Sequence, residues 1–149
     1  MTVDIFELID ACCEVYDDPS MQPTKDSQGN LETYCNLAVQ AICAHVGYNK
    51  FYHMMANQIV DFMECHPEEW EKIDISKAQE TCNSGRLVIC GLKMDVHGHV
   101  AVVRPGVAGL SVKWGNSPVP KVVNIGSKNM IGKSINWVMA DKPNAYALK

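Results

Sequence analysis

The sequence predicts an α+β fold in which N-terminal helices pack on a C-terminal antiparallel β-sheet. Three observations predict it. Apolar residues recur at helical spacing through the first half of the chain, the period shortens to that of strands after Gly85, and no helical pattern separates one strand from the next. Parallel strands would need crossover helices, so consecutive strands without them imply antiparallel pairing.

Each element has its own signal. In residues 3–16, Ile5, Leu8, Ile9, Cys12 and Tyr16 form one apolar stripe, with Thr2 or Asp4 as a cap. Residues 17–32 are rich in Pro, Gly, Ser and Asp and read as a long loop, a feature often tied to function. A second helix over residues 34–46 carries Leu37, Ala38, Ala41, Ile42 and His45 at helical spacing and stops at Gly47. A third, over residues 53–64, carries Met55, Ile59, Phe62 and Met63 and ends at His66-Pro67. Trp70 and Ile73 read as a core plug in the following loop, and residues 76–83 form a short helix closed by Gly85. Strands follow over residues 86–92, 99–104, 110–114 and 119–125, with a last strand or short turn over 135–139.

Composition bounds what such a fold can do. A length of 149 residues suits one domain, 1–149, and 47% hydrophobic with 20% charged residues argues against disorder. Thirteen basic against seventeen acidic residues leave a net charge of −4, and no Lys/Arg-rich block exists. Both facts argue against nucleic acid and an anionic membrane surface as partners. No apolar run approaches the roughly 20 residues that span a bilayer. Residues 1–7 carry early acids and no basic stretch, so no secretory signal peptide is expected there. The seven cysteines are odd in number and form no CxxC pair, which reads as mostly reduced, small apolar core residues.

One cysteine differs from the rest. In Thr33-Tyr34-Cys35-Asn36-Leu37-Ala38-Val39, Thr33 is an N-cap, which sets Cys35 at about the second helical position. Unpaired backbone N–H groups and the positive end of the helix dipole favour a thiolate there and would stabilise an oxyanion beside it. A thiolate nucleophile needs a base that later protonates the leaving amine. Of the five histidines (45, 53, 66, 97 and 99), His99 leads the strand His99-Val100-Ala101-Val102-Val103, and small Ala101 on its face leaves it space. An orienting partner for the second ring nitrogen completes such a site. Asn124, a polar residue inside Val122-Val123-Asn124-Ile125, is the first candidate, with Asn36 and Asn129 as weaker options.

Tyr34-Cys35-Asn36 opening a helix, then Gly98-His99-Val100-Ala101-Val102-Val103, then Val119-Pro120-Lys121-Val122-Val123-Asn124-Ile125-Gly126 resemble, in that order, the NlpC and CHAP cysteine peptidase/amidase superfamily. These are papain-like enzymes that cut peptidoglycan. The resemblance implies a papain-like fold, with Cys35 as nucleophile, His99 as base and Asn124 in the third catalytic role. It also implies a peptidoglycan stem peptide as substrate and no metal or organic cofactor. CHAP-type sites often carry an acidic residue at the third position, where this chain has none. An upstream side chain often serves the oxyanion, and Gln28 and Asp26 lie in the corresponding loop. The pocket would be walled by residues 17–32, the 114–118 turn and Trp137. Lacking a signal peptide, such a hydrolase would be delivered by phage or secretion machinery, and an effector of this kind would imply an immunity protein as partner.

Three other readings use the same residues. One is a catalytically inactive domain on this fold that binds wall or protein. Another is a cysteine peptidase or deamidase that acts on protein. The third is a metal site built on His97-x-His99 with a cysteine or Asp95.

Overall fold

The architecture, described for residues 1–149 by a computed structural model, is α+β with four α-helices and a six-stranded sheet. Helix α1 (Ile5–Asp17) begins at Asp4, whose carboxylate accepts from the N–H groups of Phe6 and Glu7, so the cap is Asp4 and not Thr2. Residues 17–32 are more structured than their composition suggests. They hold a 3-10 turn at Pro19–Met21 and a small hairpin of β1 (Thr24–Lys25) and β2 (Leu31–Glu32). The Asp26 carboxylate accepts from the N–H groups of Gln28 and Asn30 and so closes the hairpin turn.

Helix α2 (Cys35–His45) follows, and then α3 (Ala56–Cys65). Strand β3 (Trp70–Ile73), a 3-10 turn at Ile75–Lys77 and α4 (Ala78–Asn83) come next. The remaining strands are β4 (Val88–Leu92), β5 (His99–Val103), β6 (Gly109–Ser111), β7 (Ser117–Val119), β8 (Lys121–Asn124), β9 (Met130–Ser134) and β10 (Asn144–Leu148). Strands β6 and β7 form a separate two-stranded hairpin. The large sheet has the order β3-β10-β4-β5-β8-β9, and every neighbouring pair is antiparallel.

Three strands depart from the sequence expectation. Trp70–Ile73 is an edge strand and not a loop plug. Its two central residues, Glu71 and Lys72, are exposed and charged, which blunts the edge against further pairing and hides the period from a hydrophobicity pattern. Strand β10 inserts between β3 and β4, yet Ala145 and Ala147 give it little β-propensity. Strand β9 lies outside the expected strands; it carries Gly132 at φ +72°, beside a register shift between Val122 and Val123 of its partner. Residues 135–137, expected as a strand or short turn, form a 3-10 turn. Only residues 110–111 of the expected 110–114 segment lie in a strand, which begins at Gly109. Because β1–β3 precede α4, strands are not confined to the C-terminal half.

A single cluster of 39 buried residues joins the helices to the sheet, so one continuous core supports all of the elements. Strand β5 lies inside the sheet with Val100 to Val103 all buried. Gly91 lets α3 close on the sheet, because a Cβ there would stand 2.7 Å from Val60 Cγ2. At the sheet edge Trp70 stacks on Phe51 with ring centroids 5.5 Å apart, meets Tyr48 edge-on and donates its indole N–H to the Tyr48 hydroxyl at 2.9 Å. No helix is long and apolar enough to cross a membrane.

Replacing Trp70 by alanine removes this packing together with the partner of the Tyr48 hydroxyl. The expected cost is about 3–5 kcal/mol of unfolding free energy in a urea titration, with Trp70→Phe losing less.

Candidate active site

Strand β5 sets the site. Its neighbours are β4 and β8, and Val102 pairs with Val123. Continuing that register by one residue brings Asn124 opposite Ala101, and Ala101 shares a face with His99. His99 and Asn124 are thus diagonal neighbours across a residue too small to separate them, a spacing that longer side chains bridge. They do so here: His99 Nε2 and Asn124 Oδ1 are 2.5 Å apart. The Asn124 amide nitrogen donates to the carbonyl of Lys128 at 3.1 Å, which fixes which end of the amide faces the imidazole. Nε2 therefore carries a proton and donates it to Oδ1. Asn124 is 6% exposed, and both ends of its amide are satisfied, as a buried amide requires.

With Nε2 engaged, Nδ1 is left for the sulfur of Cys35, and the thiol and the ring lie close enough to shift each other's titration. Cys35 is the first residue of α2. Its N-cap is Tyr34 and not Thr33, with φ −129° and no side-chain cap. Tertiary contacts move the boundary by one residue: the Tyr34 hydroxyl bonds Thr24 Oγ1 of the preceding hairpin, and its ring packs on the core. Without a capping side chain, the N–H groups of the first turn have no intrahelical acceptor and are available to an anion, the Asn36 N–H to the Cys35 sulfur itself.

Both titrating groups respond to this arrangement. Burial pushes the Cys35 thiol up, but the hydrogen bond and charge of His99, together with the N–H groups of Val100 and Asn36, outweigh it and bring the thiol below its ordinary value. Burial pushes the His99 imidazolium toward deprotonation. The hydrogen bond and charge of Cys35 and the hydrogen bond of Asn124 overcome this and raise its pKa. The two values move toward one another, which favours transfer of the thiol proton to the ring. The buried cysteines elsewhere move oppositely. Burial raises Cys12 and Cys82 to about 12 and drives Cys43 and Cys90 up as well. All seven cysteines are free.

Cys35 opens on a groove of about 730 Å³. One wall comes from the β1–β2 hairpin and the residues leading into α2, among them Asp26, Leu31 and Glu32. The opposite wall is made by residues 55–57 and 96–98; His99 and Asn124 do not line the groove. Part of the expected wall at residues 17–32 is therefore present. Trp114–Pro118 and Trp137 are absent from it. The β5–β8 connection leaves from Val103 and returns at Lys121, the end of the sheet remote from His99, so its β6–β7 hairpin rises away from the groove. A second concavity of about 600 Å³ is lined by Asp10, Cys13, Glu14 and His45 among others, and there His45 Nδ1 pairs with the Glu14 carboxylate at 3.3 Å.

The other residues singled out from sequence have local partners. Asn36 donates to the Met54 carbonyl at 3.1 Å. Asn129 accepts from the Gly126 N–H and donates to the Met21 carbonyl, which shapes the turn after Asn124. Asp26 serves its own turn, and Gln28 is exposed. His97 lies on the groove wall, but no three His, Cys, Asp or Glu side chains gather in a metal-binding arrangement around it or elsewhere. Sequence reasoning missed Met55, Asn57 and Val96 as groove residues. The only signal for the last was its position just before Gly98-His99.

Alkylation by iodoacetamide at mildly acidic pH should label Cys35 before the other six cysteines, and His99→Ala should abolish that preference because the thiol then loses its proton acceptor and counter-charge. Peptide mapping by mass spectrometry checks both outcomes, and equal labelling of all accessible cysteines would refute them.

No family model matches the chain, and no curated protein matches it either.

Proposed function

We propose that this protein is a papain-like cysteine amidase of the NlpC/CHAP type that cleaves an amide bond in the peptidoglycan stem peptide. The observation that carries the proposal is the Cys35–His99–Asn124 array, with its sulfur at a helix start and open to a groove. The ordered likeness of the three sequence patches adds the substrate class.

The chemistry is acyl transfer. Cys35 gives its proton to His99 Nδ1, and the thiolate attacks the amide carbonyl carbon. As the C–S bond forms, the carbonyl electron pair moves to oxygen, and the free N–H groups of the first turn of α2 receive that negative charge. The oxyanion collapses, the C–N bond breaks, and the imidazolium protonates the departing amine. Neutral His99 then takes a proton from water, the hydroxide adds to the thioester, and Cys35 leaves as thiolate with release of the acid. Through both halves Asn124 holds the Nε2 proton, so Nδ1 always faces the sulfur. Every group required is a side chain or backbone amide of this chain.

Incubated with purified peptidoglycan, the wild type should release fragments with new amine termini while Cys35→Ala releases none. Mass spectrometry of the soluble fraction reads the result, and equal release by both proteins would remove Cys35 from the mechanism.

The pH dependence has a fixed sign. kcat/KM should rise as Cys35 loses its proton and fall as the His99 imidazolium loses its own. Since the Asn124 hydrogen bond raises the His99 pKa, Asn124→Ala should move the alkaline limb to lower pH. An unmoved alkaline limb would contradict the assigned role of Asn124.

A further inference from the structure

Nucleophile and base sit on different elements, α2 and β5, which touch and whose buried residues are apolar: Ala38, Val39 and Ile42 among those of the helix, Val100 to Val103 on the two faces of the strand. Apolar packing is non-directional. It holds a helix on a sheet but fixes its position along the contact weakly, whereas a misplacement of about 1 Å at a reacting pair can lower a rate roughly 100-fold. Directional contacts are needed, and a set of hydrogen bonds, completed by a close steric approach, runs from the residue after Cys35 to the residue before His99.

Asn36 Nδ2 donates to the carbonyl of Met54 at 3.1 Å, and Gln40 Nε2, one turn further along α2, donates to the same oxygen at 2.9 Å. Met54 stands just before α3, in a loop whose His53 adopts φ 62°, a conformation a non-glycine residue keeps only when its surroundings hold it. In the first turn of α3, Asn57 grips the β4–β5 connection at both backbone groups of Met94. It donates to the carbonyl at 2.8 Å and accepts from the N–H at 3.3 Å. One turn later Asp61 pairs with Lys93 at 2.7 Å. Asn57 also presses against the approach to the base, because a Cβ at residue 98 would lie 2.1 Å from its Oδ1 and 2.8 Å from the Leu92 carbonyl. Gly98 is the residue that permits this contact, and His99 follows it directly.

We infer that the N-terminal turn of α3 is the spacer that sets the separation of Cys35 from His99, with Asn36 and Asn57 as positioning residues at its two ends. Neither side chain is required to touch a reacting atom. Asn36 and Gln40 fix α2 against the start of α3, and Asn57 fixes the strand lead-in against the same turn. The inference rests on the proposed nucleophile–base reading of the site.

Its test uses the pH profile of Cys35 alkylation by iodoacetamide, read by peptide mapping on the intact protein. This needs no substrate, and it reports the contact between sulfur and imidazole. For Asn57→Ala and for Asn36→Ala, alkylation of Cys35 near pH 6 should slow about tenfold or more against the wild type, while the limiting rate reached at alkaline pH, once the thiol is ionised in both proteins, stays within about twofold. A purely structural role would lower thermal stability and leave the profile in place. Should Asn57→Ala fail to fold, Asn57→Asp keeps the acceptor for the Met94 N–H and a favoured first-turn acid, loses the donor to the Met94 carbonyl, and should show the same change in smaller degree. Unchanged profiles in these variants beside a wild type that alkylates fast at pH 6 would overturn the spacer role alone. A wild type without fast alkylation at pH 6 would overturn the nucleophile–base reading and the spacer with it.

Discussion

The hydrogen bond between His99 and Asn124 is the interaction on which the site depends. It assigns the imidazole tautomer, turns Nδ1 toward Cys35 and supports the charged form of the ring in a half-buried setting. Both residues are at strand termini. Strand pairing brings their backbones together, and the bond exists because Ala101 between them is small and because the Lys128 carbonyl holds the other end of the Asn124 amide. Gly126 completes the enclosure: a Cβ there would stand 3.3 Å from His99 Cε1, closer than a side chain tolerates without displacing the ring.

Cys35 gains its character from the same enclosure and not from its helix alone. Burial opposes ionisation of the sulfur, and the first-turn N–H groups and the imidazolium offset that opposition. Cys12, Cys43, Cys82 and Cys90 show the outcome of burial without such partners: each is pushed toward the neutral thiol, the state suited to a small core residue. Five of the seven cysteines therefore divide by environment, with one beside an imidazole and four held as neutral thiols.

Much of the fold was legible from periodicity. Helices α1 to α3 and strands β4, β5 and β8 fall where apolar spacing puts them, because each buries a face long enough to impose a period. Strand β3 escaped because an edge strand needs few apolar residues. Strand β10 escaped because its fit between β3 and β4 selects small residues for packing, at the expense of the β-branched signature. Cys35, His99 and Asn124 stood out in the sequence for a different reason. Each breaks the local pattern: a cysteine at a helix start, a histidine heading an apolar strand, an asparagine inside one. The groove walls were not legible in this way. The β1–β2 hairpin and residues 55–57 meet the sulfur only after the chain has folded back on itself, and Trp114 looked available although strand direction carries it to the other end of the sheet.

By itself the sequence determined the α+β class, the order of helices and most strands, and the identity of a thiol, an imidazole and an amide at element ends, since spacing and residue chemistry are local properties. Tertiary structure decided which ring nitrogen faces the sulfur, that the helix cap is Tyr34, which loops wall the groove, and that Asn57 and Gly98 stand in contact. Those depend on register, on close approach of backbones and on hydrogen bonds between residues distant in the chain, and such distances form only when β4, β5 and β8 pair and α2 and α3 close over them.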